Sequence, residues 1–86
     1  MQLLETTKFR KQRQRLNSEK DKDALKKAIL RIMADPATGK KMNGGLASFH
    51  FCRCTIAGRP QRLIYGFASG KLILFSLGPR LGNIKS

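Results

Sequence analysis

The chain has no tryptophan, and beyond Asp35 it has no aspartate or glutamate. Without tryptophan, a core has to be assembled from Leu, Ile, Phe and Met. The missing acids are more restrictive. Glu5, Glu19, Asp21, Asp23 and Asp35 are all there are, so the half from Pro36 onward cannot build a carboxylate cage for Mg²⁺. Nor does that half hold a carboxylate to serve as a general base, and chemistry there must run on Arg, Lys and His. Long apolar runs are also absent. The longest, Leu72–Leu77, falls far short of the roughly 20 residues a membrane-spanning helix needs. The opening segment, MQLLETTKFRKQ, has no hydrophobic signal region followed by a small-residue cleavage site, and a cytoplasmic location is expected.

Cysteine is scarce too, with Cys52 and Cys54 alone. A C-x-C spacing on a strand sets the two Cα atoms too far apart for an easy disulfide. His50 shares their parity, but a strand spaces such ligands more widely than a zinc tetrahedron allows. Buried or half-buried thiols are the expected outcome, with no metal and no cofactor.

What the chain does have is positive charge. Lys and Arg total 18, giving a formal net charge of +13 in 86 residues. Such an excess calls for a polyanionic partner, either nucleic acid or an acidic protein. With 41% hydrophobic residues, one folded domain over residues 1–86 is expected.

Met1–Lys8 reads as a short strand leading into a basic helix over residues 8–17, anchored by Phe9 and Leu16 on one face. Asn17-Ser18 breaks that helix, and Ser18 is a suitable N-cap for the next, with Glu19 and Asp21 following. Ala24/Leu25, Ala28/Ile29 and Ile32/Met33 recur every four residues, an apolar stripe that predicts a helix from Glu19 to about Asp35. Asp35-Pro36 ends it, because the residue before proline is pushed out of the α region. Ala37–Leu46 reads as a loop that carries Lys40 and Lys41. Ser48–Ile56 reads as a strand, with Arg53 and Thr55 on one parity and Cys52, Cys54 and Ile56 on the other. Gly58-Arg59-Pro60 is expected to turn the chain into the next strand.

The segment Gln61–Arg80 reads as a β-hairpin. Strands over 61–68 and 71–77 flank Ser69-Gly70, where glycine accepts the positive φ of a tight turn. Gly78-Pro79 stops the second strand. Folding at Ser69-Gly70 brings Arg62 and Arg80 to the same end of the hairpin. No acid lies near Arg62 in sequence, which favours a phosphate as its partner. Tyr65 alternates with Leu63 and Phe67 and reads as core. Phe49 and Phe51 read as strand packing, with base stacking as the alternative.

Four motifs in this order carry a family resemblance. They are Asp35-Pro36 closing a helix, the turn Lys41-Met42-Asn43-Gly44, the strand Gln61-Arg62-Leu63-Ile64-Tyr65, and the ending Gly78-Pro79-Arg80. With them the sequence resembles the RelE/ParE family of toxins from type II toxin–antitoxin systems over nearly its whole length. The resemblance implies an α+β fold, with two N-terminal helices packed on one face of a small antiparallel β-sheet in two layers. It also implies a cognate acidic antitoxin as partner. In the RelE branch it implies cleavage of mRNA on the ribosome without a metal. Arg62 and Arg80 would be the catalytic arginines. Arg53 would take the place of a lysine that activates the attacking 2′-hydroxyl, with His50 as another candidate for that role. Lys40, Lys41, Arg59 and Lys85 would hold RNA electrostatically. The ParE branch implies instead inhibition of DNA gyrase by protein binding, and a third reading is a catalytically weak or inactive RNA-binding relative. Family nucleases often place a tyrosine or a histidine–tyrosine pair after the final arginine; here Ile84 stands at about that position.

Overall fold

The computed structural model describes residues 2–42 and 49–79. A short strand, β1 (Gln2–Glu5), leads into α1 (Thr7–Gln14) and α2 (Glu19–Ala34). A 3₁₀ turn at Pro36–Thr38 precedes β2 (Lys40–Lys41), β3 (Phe49–Ile56), β4 (Arg59–Ala68) and β5 (Lys71–Gly78). The five strands form one sheet in the order β1-β5-β4-β3-β2. Chain and sheet therefore begin at one edge, restart at the other, and return by two hairpins.

The local signals act as their chemistry dictates. Ser18 Oγ accepts from the amides of Lys20 at 3.1 Å and Asp21 at 3.4 Å, so two of the orphan donors of α2 are satisfied. Asp35 closes α2 and at once caps the 3₁₀ turn, its carboxylate accepting from Ala37 N at 3.2 Å. Thr6 does two jobs at the start of α1. Its hydroxyl oxygen accepts from Phe9 N at 3.0 Å, and its O–H donates to Phe75 O at 2.8 Å, tying the helix to β5. Farther along α1, Gln12 Oε1 accepts from Leu77 N at 2.7 Å, where β5 runs on beyond the end of β1.

Both helices pack on one face of the sheet. Leu25, Ala28 and Ile32 of α2 are buried, with Ala24, Ile29 and Met33 packed beside them, so the four-residue stripe is the buried face. Phe9 from α1, Cys52 and Ile56 from β3, and Leu63, Tyr65, Leu72, Leu74 and Leu77 from β4 and β5 complete the core among the described residues. Each large apolar side chain buried this way contributes about 1.5–3 kcal/mol. Among the described residues no helix is long and apolar enough to cross a membrane.

Three expectations are corrected. The sheet is mixed, because β1 pairs parallel with β5, Leu3 opposite Leu72 and Leu4 opposite Ile73. That pairing joins residues about as far apart as the chain allows, and no local signal encodes its direction. Lys40 and Lys41 are not loop residues but a two-residue edge strand opposite Phe51 and His50. The turn between β3 and β4 is Ala57-Gly58, not Gly58-Arg59-Pro60. Ala57 has φ 54° and Gly58 φ 76°, as Ser69 and Gly70 have φ 52° and 74° in the second hairpin. Two consecutive positive φ values give the turn whose twist matches the flanking strands. Asp21 Oδ1 accepts from Ala57 N at 2.9 Å, which helps hold an alanine in a conformation that favours glycine. Pro60 then lies within β4, opposite Thr55, at a place where β5 no longer runs alongside.

Candidate nucleic-acid interface

The helices cover the sheet face that carries Cys52, Ile56, Leu63 and Tyr65. Strand alternation puts Phe49, Phe51, Arg53 and Thr55 of β3, and Arg62, Ile64 and Gly66 of β4, on the opposite face. The register brings these side chains together in rows: Arg53 opposite Arg62, Phe51 opposite Ile64, Phe49 opposite Gly66. Lys40 is paired with Phe51 and joins the second row from the edge.

The arginine row is the unusual one. Directly opposed residues on neighbouring antiparallel strands have Cβ atoms about 4.5–5.5 Å apart, and like charges there are destabilising. No carboxylate follows Asp35 in the sequence, and no ion pair to Arg53 or Arg62 occurs among the described residues. The Arg62 Cζ lies 4.3 Å from the centroid of the Phe51 ring, a cation–π contact that holds the guanidinium over the sheet. Arg53, Pro60, Gln61 and Arg62 line a pocket of about 210 Å³. An anion placed there would meet two guanidiniums able to offer paired N–H donors.

His50 is elsewhere. It shares the parity of Cys52, and its ring lies 5.8 Å from Tyr65 and 5.0 Å from Phe67, centroid to centroid, on the helix side of the sheet. Its Nδ1 is buried and has no hydrogen-bond partner among the described residues. The structure thus brings Arg53 to Arg62 and leaves His50 on the other face. Lys41, opposite His50, shares that other face, and Arg59 stands exposed beyond the core on the parity of Leu63. Arg80, Lys85 and Ile84, with Asn43 and Gly44 of the lysine turn, lie outside the described residues.

Tyr65 is fully buried. Its hydroxyl donates to Pro36 O at 2.6 Å and accepts from Gly39 N at 3.1 Å, clamping the link between α2 and β2. Burial raises its pKa above the ordinary value of 10.0. A Cβ at Gly39 would collide with this hydroxyl and with the Phe51 carbonyl oxygen. Cys52 is buried and Cys54 half-buried, both as free thiols, and burial pushes the Cys54 thiol up. Arg31 Nη1 donates to Cys52 Sγ at 3.6 Å.

Phe51 is the residue whose role the sequence understates. Its parity with Arg53 is visible in the alternation of FHFCRCT. Which face the helices cover is not, and that decides whether the ring packs in the core or stands beside the arginines.

The two-layer arrangement, two helices on one face of a mixed five-stranded sheet, is the fold of known toxins. A chain of the intact E. coli RelBE toxin–antitoxin complex superposes with a TM-score of 0.72 at 15% identity, covering 92% of this chain and 95% of that one. The YoeB/ParE toxin from Agrobacterium tumefaciens gives a TM-score of 0.74 at 16% identity, covering 93% and 99%. The conserved protein HP0894 from Helicobacter pylori gives 0.51 at 26% identity, covering 91% and 92%. A comparison with curated protein sequences gives no match. Residues 3–83 match the family described as "ParE-like toxin of type II bacterial toxin-antitoxin system". The chain belongs to this family: it is a toxin of a type II toxin–antitoxin system, and an antitoxin is its partner.

Proposed function

We propose that this toxin cuts mRNA on the ribosome by metal-independent attack of a ribose 2′-hydroxyl on the adjacent phosphate. The observation that supports this most is the opposed pair Arg53 and Arg62 on a face with no ion-pair partner among the described residues. In the reaction the 2′-hydroxyl gives its proton to solvent water and its oxygen bonds to phosphorus. The bond to the 5′-oxygen breaks and water returns a proton to that oxygen, leaving a 2′,3′-cyclic phosphate and a 5′-hydroxyl. The phosphorane between them gathers charge on its equatorial oxygens, and guanidiniums aimed at those oxygens stabilise it. Arg62 takes that role, with Arg80 as its second donor. Arg53 sits beside the 2′-oxygen and stabilises it as its proton is lost.

Arginine stays charged and is a poor base. A site built from it accelerates cleavage chiefly when the substrate is already held in line, and the ribosome supplies that alignment. A toxin that needs the ribosome would act in the cytoplasm. Lys40 lies on the same face and draws RNA to it electrostatically.

The ParE-like family description favours a second reading, in which the same basic surface binds DNA gyrase and no RNA is cut. Inducing the toxin in cells separates the two. Arrested translation with mRNA cut at defined positions supports the nuclease, whereas arrested replication with damaged DNA and intact mRNA supports the gyrase inhibitor.

A further inference from the structure

We infer that Phe49 and Phe75 form a base-stacking platform for single-stranded RNA beside the arginine pair. The inference rests on the RNA-cleaving reading for its ligand, and on separate observations for its geometry.

Gly66 lies between the two rings, on the arginine face of β4. A Cβ built there would meet Phe75 Cε2 at 3.2 Å and Phe49 Cδ1 at 3.4 Å. A Cβ there would press on the Phe75 ring and touch the Phe49 ring, so glycine leaves the two rings room to close over the strand. The ring centroids are 4.3 Å apart and the planes are inclined by 40°. Phe75 reaches this position through a bulge. Ile64 pairs with Ser76 and Tyr65 with Leu74, so Phe75 is the extra residue on β5, and a bulge re-aims its side chain. Thr6 Oγ1 satisfies its carbonyl at 2.8 Å.

The occupant follows from what lies alongside. Arg62 already covers Phe51, whereas Phe49 and Phe75 are half-buried with no cation over either ring among the described residues. Arg62 and Gly66 are four residues apart on one strand, about 13 Å. A few nucleotides of extended strand cover that span. A phosphate held by Arg53 and Arg62 would set a neighbouring base against the outer face of the ring pair, and every base offers a π-face to stack.

The test is fluorescence anisotropy with the full chain and two labelled 2′-O-methyl oligoribonucleotides, which 2′-hydroxyl attack cannot cut. One carries all its bases and the other is abasic throughout. The native protein is expected to bind the base-carrying strand about tenfold more tightly or better. Phe49→Leu and Phe75→Leu, which keep the apolar bulk, should each shrink that preference with little change in Tm. Arg62→Ala should weaken both strands alike. Equal affinity of the native protein for the two strands would overturn the platform, and needs no variant to fold. Leucine variants that lose antitoxin affinity while keeping the base preference would overturn it as well, marking the rings as a protein interface. A clear base preference in a protein that cuts no mRNA would sink the nuclease and leave the platform standing.

Discussion

Arg53 and Arg62 stand directly opposite each other on β3 and β4, two arginines on one face of the sheet with no ion-pair partner among the described residues. In the absence of a ligand the pair opposes folding. An anion between them turns that cost into affinity. Inorganic phosphate or sulfate should therefore raise the native Tm in a concentration-dependent way, as expected of a ligand bound only by the folded state. Arg53→Ala should leave the unliganded Tm equal or slightly higher, and should abolish the gain with phosphate. A phosphate gain that survives Arg53→Ala and Arg62→Ala together would place the anion elsewhere.

Tyr65 tests where structure ends and chemistry begins. Its hydroxyl bonds to Pro36 and Gly39 on the helix side of the sheet, away from the arginines. Tyr65→Phe leaves those backbone groups without their partner, and should cost about 1–3 kcal/mol of stability. RNA cleavage well below the lowered Tm should stay at the native rate. An unchanged Tm with cleavage lost would instead put Tyr65 in the reaction.

Glu5 gives a pH signature. It bonds to Arg13 at 2.9 Å and Arg10 at 3.3 Å, and its hydrogen bond with Arg13 is the main reason its pKa lies below the ordinary 4.5. A depressed carboxylate pKa stabilises the fold above the unfolded value, and that contribution fades as pH falls through the folded value. Glu5→Gln should thus lower Tm modestly at neutral pH, the pair being exposed to solvent. The gap should close as the solution is acidified below 4.5. A gap that persists unchanged at low pH would mean that the side chain acts through packing rather than charge.

These elements differ in how legible they are. Ser18, Asp35-Pro36 and Ser69-Gly70 act on backbone within a few residues, and the sequence names each boundary they set. The stripe from Ala24 to Met33 fixes a buried face by spacing alone. Ala57 does not announce a turn, because its positive φ is supported by Asp21, 36 residues earlier in the chain. The parallel pairing of β1 with β5 and the two-residue strand at Lys40–Lys41 are likewise decided by partners far along the chain. At the site, alternation already sets Arg53 apart from His50. That Arg62 would lie over Phe51 needed the register between β3 and β4, which depends on the position of the Ala57-Gly58 turn.

The antitoxin should be acidic, and its association should be strongly salt-dependent. A toxin of net charge +13 accelerates encounter with a negative partner through long-range attraction. Raising the ionic strength from 0.01 to 1 M shortens the Debye length from about 30 to about 3 Å. The association rate should fall steeply over that range while the dissociation rate changes little. A salt-independent association rate would show that the charge excess serves something other than this partner.

Single-turnover cleavage of mRNA on programmed ribosomes, comparing the native protein with Arg53→Ala, Arg62→Ala and the double variant, reads out whether the arginine pair cuts RNA. The native toxin should cut the bound mRNA and leave 2′,3′-cyclic phosphate ends. Arg62→Ala should slow the cut by about 10² or more at unchanged Tm. No cleavage by the native protein, or native-rate cleavage by the double variant, would contradict an arginine-based nuclease.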